Sequence, residues 1–509
     1  MAKRYLMRLG KTPFEVADPF STFDRNLLGT NSGNLVYGAA AHKLFSTHDT
    51  IVDANHYRIN AKMADAVNDE YDGFVLPLAN AFRPEFEGQL LRTAEFLERL
   101  KIPFMMLSGG AQLPLDGDPS ALKAIEPTVK RFARAVLNGS SALSVRGEMS
   151  ADYLRSLGFR DVVVVGCPSL ALHGPGHRVE VPPSLESGSS IVYNLETRDP
   201  FGADLIADAE ENYDSAYIAQ EHGTLELMLW ATDPYVGSDP RLPLERSHPQ
   251  FTSARAEMYI DAYPWIRRLG QAAFSFGARA HGNIAAVLAG TPSVMLAHDS
   301  RTAELARYHQ IPYVVRGDGG AATTVRELFD HADFTEFNRG HADRFEVLSD
   351  FIHENGFQHI YDRGQERALE SYERTITELT FPPVVRPTWL GENATSTQRH
   401  AVLQERERTR KTSHSAVRKD ISKNRKRSDE QSAELSRRLG VAEERLAEAT
   451  RRAEIAEGQV AATQNRLAQL EKRLTKIART AEVAADRSQR AVRVPTRFRT
   501  FVSRGKQDD

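Results

Sequence analysis

Residues 275–305 read SFGARAHGNIAAVLAGTPSVMLAHDSRTAEL, and the fold class turns on how this stretch is parsed. An apolar run closes at Ser275, Gly277 breaks it, and Gly282-Asn283 opens an apolar segment over 284–289. Gly290-Thr291-Pro292 stops that segment, and residues 293–297 are apolar again. The pattern predicts a buried strand, a short helix and a second buried strand. In a parallel sheet, residues just past the carboxyl end of a strand face the ligand crevice. Arg279, His281 and the first N–H groups of the helix fall there, and Arg301 follows the next strand. Two guanidinium groups, one imidazole and a helix N-terminus suit an anionic ligand.

The same alternation extends to both sides. Strands are expected at 73–78, 103–107, 142–145, 162–165, 191–194, 215–220 and 313–316. Helices are expected at 35–45, 86–100, 147–157, 225–230, 259–269, 325–337, 344–354 and 365–379. Apolar strands alternating with helices predict an α/β fold whose parallel sheets are covered on both faces. The Pro-, Gly- and Ser-rich stretch 174–188 divides two Rossmann-like units, 1–178 and 188–385. The second unit, which holds the opening stretch, is the one expected to bind the donor.

Beyond Pro387 the composition changes. Residues 386–430 read as a basic polar linker with Lys423-Asn424-Arg425-Lys426-Arg427 near its end. Over 431–486, apolar residues from Leu435 to Ala484 alternate spacings of four and three, which predicts a helical coiled coil. Residues 487–509 form a basic tail with Phe498 and Phe501 in it, able to touch an anionic membrane surface.

The 509 residues are too many for one core. The formal net charge of -3 leaves no strongly basic body, so no nucleic-acid partner is expected. A single cysteine, Cys167, excludes an internal disulfide framework and fits a reducing compartment. With no apolar run near the roughly twenty residues that span a bilayer, the expectation is a cytoplasmic protein, at most associated with the inner face of the membrane. His42, His48 and His56 show no ligand spacing, and no metal or cofactor is expected.

Four blocks in order carry a family resemblance. Gly277-Ala278-Arg279-Ala280-His281-Gly282, followed by an apolar helix, Gly-Thr-Pro and a strand, resembles the polysaccharide pyruvyl transferase family. Asn31-Ser32-Gly33-Asn34 resembles its N-terminal glycine-rich turn, Ser144-Val145-Arg146 its Ser-x-Arg block, and Gly166-Cys167-Pro168-Ser169 the turn after the next strand. The resemblance covers about residues 25 to 320. It implies two Rossmann-like domains in a GT-B-like arrangement, and transfer of pyruvate from phosphoenolpyruvate to a sugar as a cyclic ketal. The acceptor it implies is a cell-surface polysaccharide, such as an exopolysaccharide or cell-wall polysaccharide, or its lipid-linked precursor.

On that resemblance His281 is the catalytic candidate. Arg146, Arg279 and Arg301 match its donor-binding residues, Gly282 and Asn283 at the helix start join the donor side, and Asn31, Gly33, Asn34 and Glu148 are candidates for the acceptor side. Two positions depart from the family pattern: Asn34 stands where Asp is usual, and Gly147 where an acidic residue is common, with Glu148 following. An imidazole titrating near working pH suits His281 to general acid/base work or to contact with phosphate. Phosphoenolpyruvate carries a carboxylate and a phosphate, hence the several cations. Two other readings use the same residues: a GT-B glycosyltransferase holding a nucleotide sugar, and a non-catalytic coiled-coil scaffold with a ligand-binding α/β body. The coiled coil implies a homo-oligomer or a protein partner.

Overall fold

The computed structural model describes residues 2–195, 202–235, 239–315, 324–390, 448, 450–452 and 457–484. Residues 1–399 form one compact unit and 400–509 another.

The first unit is α/β with parallel sheets. Strands β1 (Lys3–Met7), β2 (Thr50–Ala54), β3 (Gly73–Pro77) and β4 (Phe104–Leu107) pair in the order β2-β1-β3-β4. β5 (Leu143–Val145) and β6 (Val162–Val164) form a separate parallel pair, bridged to the end of β4 through Gly109 and Val145. β7 (Ser190–Asn194), β8 (Asp214–Ala219), β9 (Glu257–Met258), β10 (Phe274–Gly277), β11 (Ser293–Ala297) and β12 (Tyr313–Val315) make a second sheet, ordered β12-β11-β10-β7-β8-β9. All ladder pairings between these strands are parallel. β3, β4, β5, β10 and β11 are buried along their whole length, which is why they read as apolar runs without alternation.

β1, β2 and β9 were not among the expected strands. β1 is only Lys-Arg-Tyr-Leu-Met, with its first two residues exposed and the last three buried. It lies between β2 and β3, so a short segment with basic residues is an interior strand of the first sheet.

The helix Gly33–Phe45 ties the two sheets together. All but one of its residues are buried, so it is apolar around its whole circumference, as a helix inside a core must be. Leu35, Val36, Tyr37, Ala39 and Ala40 pack with the second sheet, while Ala41, Leu44 and Phe45 pack with Tyr5, Met7 and Val52 of the first. The Tyr37 hydroxyl donates to the carbonyl of Leu107 at the end of β4, at 2.6 Å. Each large apolar side chain buried this way contributes about 1.5–3 kcal/mol. A charge introduced at Ala40, which has no exposed surface, would disrupt the core of the second sheet.

The chain also crosses back. Phe345, Leu348, Phe351 and Ile352 of the helix Thr335–Glu354 join the core of the first sheet, though they lie within the sequence unit 188–385. The first residues assigned to the linker are likewise held by the body. Arg386 pairs with Glu257 at 2.6 Å, and Trp389 Nε1 donates to Leu227 O at 3.2 Å. Residues 391–430 and the tail 487–509 lie outside the described residues.

In the second unit, 457–484 is a helix with every side chain exposed. Val460, Leu467, Leu470, Leu474, Ile477 and Val483 are each more than half exposed. The remainder of the expected coiled coil, apart from 448 and 450–452, lies outside the described residues. Among the described residues no helix is long and apolar enough to cross a membrane.

Candidate active site

Loops at the carboxyl ends of six strands, from the two larger sheets and the β5–β6 pair, converge on one cavity of about 790 Å³. Arg8 follows β1, Leu78–Arg83 follow β3, and Arg146 follows β5. From the second sheet come Gln220 and Glu221 after β8, Ala278–His281 after β10, and His298–Thr302 after β11. The volume lies in the range of small-molecule sites, and the position is the one a parallel sheet offers for binding.

Five arginines line it: Arg8, Arg83, Arg146, Arg279 and Arg301. The two that the opening stretch supplies are already matched to carboxylates. Arg279 pairs with Glu221, whose Oε1 also accepts from Asn31 Nδ2 at 2.6 Å. Arg301 pairs with Asp299 at 2.6 Å, and not with Glu304 one helical turn on. Burial works against the Asp299 carboxylate, yet Arg301, His298 and the hydrogen bonds from Arg301 and Thr302 hold it below the usual range.

The other three have no carboxylate partner among the described residues. Arg146 is 4% exposed, and its Nε has no hydrogen-bond partner. Glu148 and Asp152, the acids nearest to it in sequence, both pair with Arg155 instead. Arg8 stacks on Tyr57 at 4.9 Å, and its Nε is also unpartnered. Burial makes the charged Arg8 less favourable, and Arg83 is disfavoured by burial and then by the charges of Arg301, Arg146 and Arg8, with Glu85 in the same cavity opposing them. A guanidinium does not lose its proton in a protein. The strain is therefore held as positive potential in the cavity, open to relief by an anion.

His281 sits one residue inside the helix Ala280–Leu288, whose N-cap is Arg279. The N–H groups of Ala280 and His281, as the first two of that helix, have no intrahelical acceptor, and both residues line the cavity. Burial, reinforced by the Arg146 charge, drives the imidazole down to about 3. It is therefore neutral at physiological pH, and the expectation of a group titrating near working pH does not hold for the unliganded protein. Its Nε2 lies 3.8 Å from Cys167 Sγ. Burial raises the Cys167 thiol, which stays protonated and serves as a weak donor.

The remaining sequence candidates divide. Asn31 lines the cavity and joins the two halves through Glu221. Gly33 is required by proximity: a Cβ there would lie 2.7 Å from that of His281. Asn34 lines the cavity, but its Nδ2 donates to Leu28 O at 2.9 Å and Gly29 O at 3.1 Å. A carboxylate could make neither bond, so the Asn in place of Asp has a structural reason. Asn283 is corrected to a structural role. It is fully buried, its amide donates to the carbonyls of Gly277 and Arg279 at 2.8 Å, and its oxygen accepts from Ser293. Gly282 is buried behind the wall and does not line the cavity. Glu148 is also corrected: it faces solvent and does not line the cavity.

Gly147 has its own explanation. A Cβ at this position would meet Glu304 Cβ at 2.6 Å and Oε2 at 2.9 Å. The carboxyl of Glu304 thus occupies the space beside Arg146 and accepts from Ser150 N and Oγ at 2.9 and 2.7 Å. Arg8, Arg83, Gln220 and Glu221 were not singled out in the sequence. For Arg8 the available signal was Tyr5-Leu6-Met7, three consecutive apolar residues directly before it.

Away from the cavity, His353, His359 and Asp362 bring three potential ligand atoms together. His359 Nδ1 accepts from Tyr361 N at 3.2 Å, which leaves the proton on Nε2, 2.7 Å from Ser349 Oγ and 3.2 Å from Asp362. That tautomer makes a hydrogen-bonded set rather than a ligand set.

Fold and cavity together define an α/β protein with an arginine-lined crevice at the carboxyl ends of two parallel sheets. Residues 79–300 match the family model described as polysaccharide pyruvyl transferase, which bears out the resemblance carried by the sequence blocks. No curated protein matches the chain. Among solved structures, the UDP-GlcNAc 2-epimerase of Methanocaldococcus jannaschii with UDP-GlcNAc and UDP is 11% identical, over 74% of this chain and 99% of that one, at a TM-score of 0.35. A putative UDP-N-acetylglucosamine 2-epimerase from Listeria monocytogenes is 12% identical over 75% and 99%, at a TM-score of 0.34. The glycosyltransferase SnogD from Streptomyces nogalater is 11% identical over 74% and 100%, at a TM-score of 0.29. Likenesses of this size assign no ligand to the chain.

Proposed function

We propose that the protein is a ketal-pyruvyl transferase, moving pyruvate from phosphoenolpyruvate to two hydroxyls of a surface-polysaccharide sugar or its lipid-linked precursor. The two sheets are read as the two Rossmann-like domains of a GT-B-like arrangement. The observation that carries the proposal is the set Arg8, Arg83 and Arg146, which line the cavity without carboxylate partners and share it with the open N–H groups of Ala280 and His281. A small ligand with both a carboxylate and a phosphate would satisfy these groups together.

In the reaction, the methylene carbon of phosphoenolpyruvate takes a proton and C2 becomes electrophilic. One sugar hydroxyl adds, the C2–O bond to phosphate breaks, and the second hydroxyl closes the ketal. Of the two hydroxyl protons, one is balanced by the new methyl hydrogen and the other by the phosphate released. His281 starts neutral, so it accepts a proton before it gives one. A phosphate bound beside it offsets the Arg146 charge that depresses it, and thereby raises its proton affinity. No cofactor enters this scheme.

Phosphoenolpyruvate should raise the melting temperature, and phosphate should be released when a suitable glycan precursor is added. Stabilisation by UDP or GDP with none by phosphoenolpyruvate would sink this reading in favour of a nucleotide-sugar enzyme.

The helix over 457–484 is read as a self-association element in a cytoplasmic enzyme. With Leu467 and Leu474 at one seam position and Leu470 and Ile477 at the other, Arg466 of one copy faces Glu471 of a parallel second copy. An antiparallel pairing would instead bring Arg466 and Arg473 of the two copies together. Leu467→Cys should give a disulfide-linked dimer on mild oxidation of the full chain. A chain that sediments as a monomer and stays uncrosslinked would refute this.

A further inference from the structure

We infer that Gln220 marks a second subsite in the cavity, one that reads a sugar hydroxyl beside His281. Gln220 directly follows β8, is 3% exposed and lines the cavity, yet neither Nε2 nor Oε1 has a hydrogen-bond partner. Its backbone is fixed, because Ser32 N donates to its carbonyl at 2.9 Å. Its amide is crowded from behind: a Cβ on Gly282 would lie 2.5 Å from Nε2. Gly282, expected on the donor side, therefore acts by leaving room for this amide.

A buried amide without partners bears its full desolvation penalty, whereas an apolar side chain of similar size bears none. A position with only a packing role would be better filled by Leu. What the amide offers is a pair of N–H donors beside an acceptor oxygen. An anion can use the donors but is repelled by the oxygen. A hydroxyl can accept from Nε2 and donate to Oε1 or a neighbouring acceptor. The adjacent Glu221 carboxylate, paired with Arg279 and accepting from Asn31, lines the same wall, where its lone pairs suit a hydroxyl donor rather than a phosphate. The cavity thus separates into an end with the unpaired arginines Arg8, Arg83 and Arg146 for an anion, and an end with Gln220 and the Glu221–Arg279 pair for a neutral polyhydroxyl ligand. The sugar class assigned to this end rests on the pyruvyl-transfer reading.

The test uses the full chain, its Gln220→Leu variant, and Gln220→Met in case Leu does not fold. Saturation-transfer NMR with methyl α-D-galactopyranoside, methyl α-D-mannopyranoside and methyl β-D-glucopyranoside reads the glycoside end. Melting with phosphoenolpyruvate reads the anion end. The variant should melt no lower than the parent and keep the phosphoenolpyruvate shift with less than a twofold change in apparent affinity. The glycoside signal should fall at least tenfold. An unchanged glycoside signal in the variant, or none in the parent with all three glycosides, overturns the inference. Loss of the phosphoenolpyruvate shift in the variant also overturns it, by assigning Gln220 to the anion. A parent that binds glycoside but shows no phosphoenolpyruvate shift would instead sink the transferase reading and leave the hydroxyl subsite standing.

Discussion

The two walls of the cavity carry similar side chains in opposite electrostatic states. On the wall built by the second sheet, Arg279 faces Glu221 and Arg301 faces Asp299. On the wall built by the first, Arg8, Arg83 and Arg146 have no such partner among the described residues, and the last is almost wholly buried. A paired guanidinium positions structure and adds little net field. An unpaired one, held out of water by its surroundings, keeps its charge available to a ligand. The difference places the anion-holding surplus on the first wall, although the sequence drew attention to the second.

Arg146→Ala would break this asymmetry most severely. It removes the buried unpartnered cation, and apparent phosphoenolpyruvate affinity should fall by roughly 100-fold, the scale of a lost charge-assisted contact of about 3 kcal/mol. Arg83→Ala should cost roughly tenfold, since Arg83 stacks on Phe86 at 4.9 Å and is less enclosed. Arg279→Ala should behave differently. It takes away the cationic partner of Glu221 and should lower the melting temperature by several degrees, while phosphoenolpyruvate affinity falls only a fewfold. Isothermal titration beside melting curves would separate the two behaviours. Equal losses of affinity for Arg146→Ala and Arg279→Ala would show that the walls are not divided as described.

The same asymmetry explains what the sequence revealed. The strands from β3 to β12 carrying continuous apolar runs were readable, and so were the turns after β10 and β11, because burial on both faces writes itself into consecutive residues. Arg279, His281 and Arg301 were then found by position alone. Arg8 was hidden because β1 has only three buried residues and two exposed basic ones. Arg83 was hidden because it stands six residues past the end of β3, in a loop without a recognisable turn pattern. Pairing state was unreadable in principle. Arg301 has Asp299 two residues before it and Glu304 three after it, and only the fold decides which carboxylate it meets. Nor could spacing show that Glu304 fills the space left by Gly147, since the two are brought together by the packing of separate helices.

Glu304 is where the walls meet, and it yields the smallest effect but the most specific signature. It belongs to the helix Ser300–His309 of the second wall, yet its carboxyl accepts from Ser150 of the first and lies in the field of Arg146. Burial raises it to about 7, with Asp299 adding to the rise while Arg146 and the Ser150 hydrogen bonds oppose it. In the unfolded chain it returns to its ordinary value of 4.5. Between these values the folded protein holds a proton that the unfolded chain has released, so this group's contribution to stability falls as pH rises. The contribution is complete below about 4.5 and gone above about 7, a change of roughly 3 kcal/mol for a shift of this size. His281, driven down to about 3, acts in the opposite sense, adding stability as pH rises from 3 to its ordinary 6.5. Of these two groups, only Glu304 still changes stability between pH 6.5 and 7. Glu304→Gln keeps an acceptor for Ser150 and removes the titration. Its melting temperature should gain on the wild type by a few degrees between pH 5 and 7.5, and anion binding at Arg146 should be little changed. Parallel melting curves for the two proteins would mean that Glu304 is already ionised, and that Arg146 has a counter-charge at the seam after all.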